Sequence, residues 1–133
     1  MAKGSQRTLA QLKKKLQETF NSYIRSRDSM DGIFVCISCS KVKSVREINA
    51  GHYYPVSTHD GLRFDEDNCH GECVGCNCFN EGHLIGYRKN LIEKIGKERF
   101  SELERKADLY KRDGNKFDRE YLIERIAFYH ELV

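Results

Sequence analysis

Apolar residues recur at three- and four-residue steps through the N-terminal part of the chain. They are Leu9, Leu12, Leu16, Phe20 and Ile24. This period places one apolar stripe along a helix, and Thr8 is a suitable N-cap. The pattern predicts an amphipathic helix from Thr8 to about Ser29, closed by the turn signal Asp31-Gly32.

The helical period returns after the last cysteine in three stretches. The apolar positions are Leu84, Ile85, Leu91, Ile92 and Ile95, then Phe100, Leu103, Ala107 and Tyr110, then Leu122, Ile126 and Tyr129. Gly96 and Asp113-Gly114 are natural stops for the first two stretches, and Asp118 is a suitable start for the last. The pattern predicts two or three C-terminal helices.

Between these helical regions, the apolar runs are too short for helices. Residues 33–36, 46–50 and 62–64 form such runs, separated by turn residues and by Pro55. Short runs bounded by turn signals favour strands. We therefore expect an α+β fold, with a small irregular β region between helices.

The chain has 133 residues, of which 39% are hydrophobic and 32% charged, which suits one domain with a modest core. We expect a single domain over residues 1–133, with a basic N-terminal helix (1–31), a cysteine-rich core (32–96) and C-terminal helices (97–133). No run is long enough to span a membrane, and the N-terminus lacks the apolar core of a signal peptide. These features predict a cytoplasmic protein with no membrane partner.

Six cysteines in such a protein favour metal binding over disulfides. Two Cys-x-x-Cys pairs are present, a spacing at which a tight turn directs both thiolates at one tetrahedral ion. We predict a structural zinc site whose ligands are Cys36, Cys39, Cys73 and Cys76. Cys69 and Cys78 lie outside the pairs and are predicted to be small buried packing residues.

Charge is unevenly distributed along the chain, although the net charge is only +3. Residues 1–30 carry seven Lys and Arg against two Asp and Glu, residues 31–83 carry four against eight, and residues 84–133 carry twelve against ten. Basic flanks around an acidic centre suit a polyanion held near a cation site. Chance segregation of charge is the competing interpretation.

The sequence between the cysteine pairs contains a further motif. Residues 51–55 (GHYYP), 67–68 (DN) and 73–77 (CVGCN) resemble the HNH, or ββα-metal, nuclease motif. The resemblance implies that His52 is the general base, that Asn68 positions the loop before the helix, and that Asn77 binds the catalytic metal. Asn77 could instead cap a helix.

A narrower resemblance covers most of residues 8–133. The stretches 34–40 (FVCISCS), 50–53 (AGHY), 62–64 (LRF), 68–70 (NCH) and 73–77 (CVGCN), followed by 87–88 (YR), 91–92 (LI) and 95–96 (IG), are similar to the NinG (Rap) recombination proteins of lambdoid phages. The chain is expected to lack the longer, cysteine-bearing N-terminal region of the lambda member. The resemblance implies a phage-encoded, structure-specific endonuclease that acts on Holliday junctions and D-loops in the host cytoplasm.

The predicted chemistry is phosphodiester hydrolysis. It requires an activated water, which a neutral imidazole supplies, and charge stabilisation, which a hard divalent ion supplies. Amide and carboxylate oxygens favour Mg²⁺ or Mn²⁺, whereas thiolates favour zinc. Nothing in the sequence predicts a small-molecule cofactor.

The chain departs from the usual HNH pattern at Gly51, where an Asp ligand normally precedes the base. The missing oxygen could come from Asn49, Glu47 or Asp67. His70 and His83 are further metal candidates, although His70 could instead order the zinc turn and His83 could open a helix. A zinc-stabilised module that binds DNA junctions without cutting them is therefore the rival hypothesis.

Several basic residues are candidates for contacting DNA phosphates. They are Lys13, Lys14, Lys15, Arg63, Arg88 and Lys89. Solvated surface is the competing interpretation for each. Two active sites suit two cuts in a four-way junction, and two-fold symmetry is the commonest way to supply them, so the predicted partners are branched DNA and a second copy of the chain.

Overall fold

The structure is a computed structural model that describes residues 6–110 and 117–133. The fold is mixed α+β. Five helices lie at α1 (Leu9–Arg27), α2 (Val74–Phe79), α3 (His83–Ile95), α4 (Lys97–Leu109) and α5 (Arg119–Leu132). Five strands lie at β1 (Ser29–Met30), β2 (Ile33–Val35), β3 (Val42–Ser44), β4 (Ile48–His52) and β5 (Cys69–Cys73).

Helix α1 begins at a capping box, because Thr8 Oγ1 accepts from the backbone N–H of Gln11 and the Gln11 side chain accepts from the N–H of Thr8. Its predicted apolar stripe is buried from Leu12 to Ile24. The stripe packs with Phe64, Cys69 and residues of α5 in one core cluster. The two terminal helical segments of the chain therefore share a core.

The strands form two small antiparallel sheets. One has the order β1-β2-β3, and the other pairs β4 with β5. In the second sheet, His52 lies opposite Cys69 and Ile48 lies opposite Cys73. Helix α2 follows β5 directly, so β4, β5 and α2 form a compact ββα unit.

Helices α3 and α4 build a second core cluster that includes Tyr87, Leu91 and Phe100. Tyr53 and Tyr54 pack against this cluster, and their rings meet edge to face 4.8 Å apart. Gly86 is needed where α3 approaches the first cysteine pair, because a Cβ there would collide with the carbonyl oxygen of Ser38. Helix α3 therefore packs directly on the cysteine-bearing loop.

The prediction of two or three C-terminal helices is confirmed, since α3, α4 and α5 follow the last cysteine in the described residues, but two other expectations are wrong. The run 62–64 is no strand, because Asp60–Leu62 forms a 3₁₀ turn that Asp60 stabilises by binding Arg63. Cys78 is exposed on α2, whereas Cys69 is buried as expected. The predicted stop at Asp113-Gly114 lies outside the described residues.

Among the helices described, none combines the length and the apolar character that crossing a membrane requires.

Candidate metal centre

The four predicted zinc ligands converge. The Sγ atoms of Cys36, Cys39, Cys73 and Cys76 all lie within 4.8 Å of one another. Sulfurs of a tetrahedral zinc site with bonds of about 2.3 Å lie about 3.8 Å apart. The cluster could therefore hold a zinc ion after only a small contraction.

The backbone around the cluster favours thiolates. Cys36 Sγ accepts from the N–H groups of Cys73 and Cys39, at 3.3 and 3.5 Å. Burial raises the pKa of the Cys36 thiol, and these N–H groups act in the opposite direction. A metal would displace the remaining protons. The donor set and its N–H partners fit a structural zinc ion.

A second polar site lies beside the cluster, around the strand position of Gly51. Glu72 is fully buried, and its Oε2 accepts from the hydroxyl of Ser38 and lies 2.5 Å from His83 Nδ1. Glu72 Oε1 is the one buried side-chain polar atom without a hydrogen-bond partner in the described parts of the chain. Sequence reasoning missed Glu72 as a functional residue.

Two other predicted ligands share this neighbourhood. Asn77 lies on α2 with its Oδ1 directed toward Gly51. Asn49 lies opposite Glu72 in the β4–β5 register, and its Nδ2 donates to Cys78 Sγ at 3.6 Å. The structure therefore brings Asn77 and His83 to the carboxylate of Glu72, while Asn49 lies on the paired strand with its side chain on Cys78.

His52 lies at the end of β4, where the strand gives way to a loop. Its Nε2 is 3.0 Å from the carbonyl oxygen of Arg63. A carbonyl only accepts, so Nε2 carries the proton and Nδ1 is the acceptor in the neutral ring. Burial and the nearby Arg63 charge lower the pKa of His52, which favours the neutral form at pH 7.

Neighbouring residues of a strand point to opposite faces, so His52 and Gly51 diverge along β4. No hydrogen bond joins His52 to Asn77 within the described residues. A ligand that contacted both His52 and Asn77 would have to span the end of β4.

Asn68 is fully buried and connects three backbone groups. Its Oδ1 accepts from the N–H of Tyr54 at 2.9 Å, and its Nδ2 donates to the carbonyls of Tyr54 and Leu62. The carbonyl of Asn68 also accepts from the N–H of Tyr53. These bonds fix the chain just after His52, which is the geometry that a positioning role requires.

The contacts of His70 lie away from the polar site around Gly51. Its Nε2 is 2.9 Å from the carbonyl of Asp67, and its Nδ1 is 2.8 Å from Lys94 Nζ and 3.1 Å from Arg27. Burial and the charges of Lys94 and Arg27 lower its pKa to about 3. Both ring nitrogens are engaged, which favours the structural role over the metal role for His70.

The basic candidates divide into two groups. Lys13 and Arg63 share the carboxylate of Asp60, at 3.0 and 2.7 Å. The others are exposed on α1 and α3, namely Lys14, Lys15, Arg88 and Lys89. Arg63 is also the residue whose carbonyl holds His52, so this ionic cluster adjoins the predicted base.

The fold and the site together define a mixed α+β protein with a four-cysteine cluster that could hold zinc and a ββα unit beside it. A family model described as "Bacteriophage Lambda NinG protein" matches residues 2–132. The chain belongs to the NinG family.

Individual relatives agree with this assignment. The chain is 42% identical over 91 residues to Protein ninG of Escherichia phage 933W and 41% identical over 91 residues to that of Escherichia phage lambda. Protein ninG of Salmonella phage P22 is 42% identical over 91 residues. Each match covers 68% of this chain and 43% of the relative, so the chain aligns with less than half of these proteins. No solved structure matches the chain.

Proposed function

We propose that this protein is a metal-dependent HNH-type endonuclease that hydrolyses phosphodiester bonds in branched DNA such as Holliday junctions and D-loops. The observation that carries the proposal is the ββα unit, in which a carbonyl-bound His52 ends one strand and Asn77 lies on the helix after the other. Family membership supports a link to phage recombination proteins. The sequence motif supplies the roles of the residues.

In this proposal, His52 is the general base. Its Nε2–H donates to the Arg63 carbonyl, which leaves Nδ1 to take a proton from water. The water oxygen then bonds to phosphorus as the bond to the departing 3′ oxygen breaks, and that oxygen takes a proton from solvent water to give a 3′ hydroxyl. Asn68 acts as a positioning residue through its bonds to the backbone after His52.

Two metals of different softness serve this scheme. Zinc on the four thiolates would be structural. A Mg²⁺ or Mn²⁺ ion held by oxygen ligands, with Asn77 among them, would supply stabilisation of negative charge on the phosphate when bound.

The DNA surface is proposed to include the exposed lysines and arginines of α1 and α3. Among the residues that the structure describes, Lys14 and Lys15 form no ion pair, whereas Lys13 is paired with Asp60. Replacing Lys14 or Lys15 by alanine should lower the salt dependence of junction binding more than replacing Lys13 does.

The test is cleavage of a synthetic four-way junction with Mg²⁺, with Mn²⁺ and with EDTA. The intact protein should cut only with the metal, and His52→Ala should bind but not cut. His130→Ala changes an exposed histidine of α5 and serves as the matched control. Binding without cutting under every metal condition would favour the rival, a zinc-stabilised module that recognises junctions.

We also propose that the active form is a homodimer. Two exposed apolar residues that lie one turn apart on α5, Phe128 and Leu132, offer a surface for a second copy. Sedimentation equilibrium of the zinc-loaded protein should give twice the chain mass of 15.5 kDa. A monomer both alone and on the junction would contradict this.

A further inference from the structure

Glu72 is an unusual buried carboxylate because only one of its oxygens has a partner. Ser38 and His83 both bind Oε2, while Oε1 has none within the described chain. A buried acceptor without a partner costs about 1–3 kcal/mol. Such a group in a folded protein calls for an explanation, and an absent ligand is one.

Gly51 identifies where Oε1 points. A Cβ on Gly51 would collide with Glu72 Oε1 and would lie 3.2 Å from Asn77 Oδ1. Both oxygens therefore surround one small volume, which is open because residue 51 has no side chain. In the HNH motif this position normally carries an Asp.

We propose that Glu72, reaching across from β5, is the carboxylate ligand of the divalent metal, with Asn77 as a second oxygen ligand. This inference rests on the proposed function, since it names a ligand of the same site. Ser38 and His83 are positioning residues that hold Oε2 so that Oε1 faces the metal. A carboxylate and an amide oxygen are ligands that suit Mg²⁺ and Mn²⁺.

The other acidic candidates are less suited to this role. Asp67 is paired with Arg99 through both of its oxygens. Glu47 is exposed on the 3₁₀ turn before β4. Neither has a contact with the volume beside Gly51, whereas Glu72 Oε1 borders it.

The direct test is Mn²⁺ binding to the zinc-loaded protein, followed by electron paramagnetic resonance and without any DNA. Glu72→Gln should weaken Mn²⁺ binding at least tenfold while zinc content and circular dichroism stay unchanged. Glu124→Gln, an exposed glutamate of α5, is the matched control and should bind like the intact protein. Equal affinity in Glu72→Gln, or no Mn²⁺ binding by the intact protein, would overturn the inference.

If Glu72→Gln fails to fold, a second variant that moves the carboxylate to another residue tests the ligand assignment. Gly51→Asp combined with Glu72→Ser moves the carboxylate from β5 to β4 but keeps it in the same volume. Mn²⁺ affinity within about threefold of the intact protein supports the inference, and loss of binding in a folded double variant overturns it.

Junction cleavage separates this inference from the proposed function. An intact protein that binds Mn²⁺ through Glu72 but never cuts would leave the ligand assignment standing and remove the nuclease. A protein that cuts equally well with Gln at position 72 would leave the nuclease standing and remove the ligand assignment.

Discussion

The cysteine cluster and the Gly51 site draw on different residues of the same short segment, 72–77, but their polar atoms have different surroundings. Cys73 and Cys76 turn to the thiolate cluster, while Glu72 and Asn77 turn to the oxygen site. The cluster brings four cysteine sulfurs together, and its Cys36 sulfur receives two backbone N–H groups. At the Gly51 site, Glu72 Oε1 has no hydrogen-bond partner among the described residues. The cluster is proposed to stabilise the fold, whereas the Gly51 site is proposed to keep an oxygen for a ligand at a cost in stability.

The largest effect should follow loss of the thiolate cluster. Cys73→Ser should abolish zinc binding and cooperative unfolding, because structural zinc contributes on the order of 10 kcal/mol to small domains. Zinc content and thermal unfolding by circular dichroism measure this. Cys78→Ser is the control, since Cys78 is exposed and outside the cluster. A cooperative transition in Cys73→Ser without zinc would contradict the stabilising role.

Asp28 is a buried carboxylate whose two oxygens both have partners, so removing its charge should lower stability, unlike removing the charge of Glu72. Asp28 binds Arg27, Lys94 and the N–H of Gly71. Burial acts to raise its pKa, but Arg27 and Lys94 prevail and lower it to about 2. Asp28→Asn should therefore lower the free energy of unfolding by about 3 kcal/mol in urea.

The sign of the pH dependence follows from that lowered pKa. The stabilisation by Asp28 is present above its unfolded pKa near 4 and is lost as the pH falls toward 2. The free energies of unfolding of Asp28→Asn and of the intact protein should therefore differ by the same amount at pH 7 and at pH 5. Asp31→Asn is the control, because Asp31 is exposed in a left-handed turn that Asn also tolerates. A difference that shrinks between pH 7 and pH 5 would show that another group is responsible.

Filling the volume beside Gly51 should have a smaller effect on stability. Gly51→Ala forces the new Cβ against Glu72 Oε1, so we expect a loss of about 1–3 kcal/mol. Gly75→Ala is the matched control on α2, since its Cβ would meet only Cys73 Sγ at 3.9 Å. Urea unfolding of both zinc-loaded variants measures the difference. Equal stability would mean that the volume is wider than the structure shows.

The smallest effect should have the opposite sign. Glu72→Gln removes a buried charge and offers an N–H₂ group that Asn77 Oδ1 could accept, so stability should rise by about 1 kcal/mol without divalent metal. Added Mn²⁺ should stabilise the intact protein but not this variant. The urea unfolding midpoints of the intact protein and of Glu72→Gln, with and without Mn²⁺, measure both changes in stability. A fall in stability would show that Glu72 is held by contacts it already makes.

The helical parts of the fold were predictable because their apolar stripes follow one period over long stretches, as from Leu12 to Ile24. The cluster of four cysteines that could hold zinc was predictable from the spacing of the cysteines alone. The run at 62–64 was misleading because local bonds of Asp60 close a turn there. The strand propensity of a segment of only three residues is too weak to predict its structure.

Glu72 could not be found from the sequence because its proposed role depends on a neighbour across the sheet. Glu72 and Asn49 are 23 residues apart in the sequence, but they lie opposite each other in the β4–β5 register. The sequence shows that residue 51 has no side chain, but it does not show which carboxylate lies beside it. The pairing of β4 with β5 brings Glu72 next to Gly51.

Residues 72–77 contribute to both sites, with the two cysteines of the cluster lying between Glu72 and Asn77 in the sequence. Inserting or deleting one residue between Cys73 and Cys76 would misplace a sulfur and shift Asn77 relative to Glu72 at the same time. Neither site can change its spacing independently of the other. A variant that keeps the spacing of Cys73 and Cys76 therefore also keeps most of the stretch of chain that separates Glu72 from Asn77.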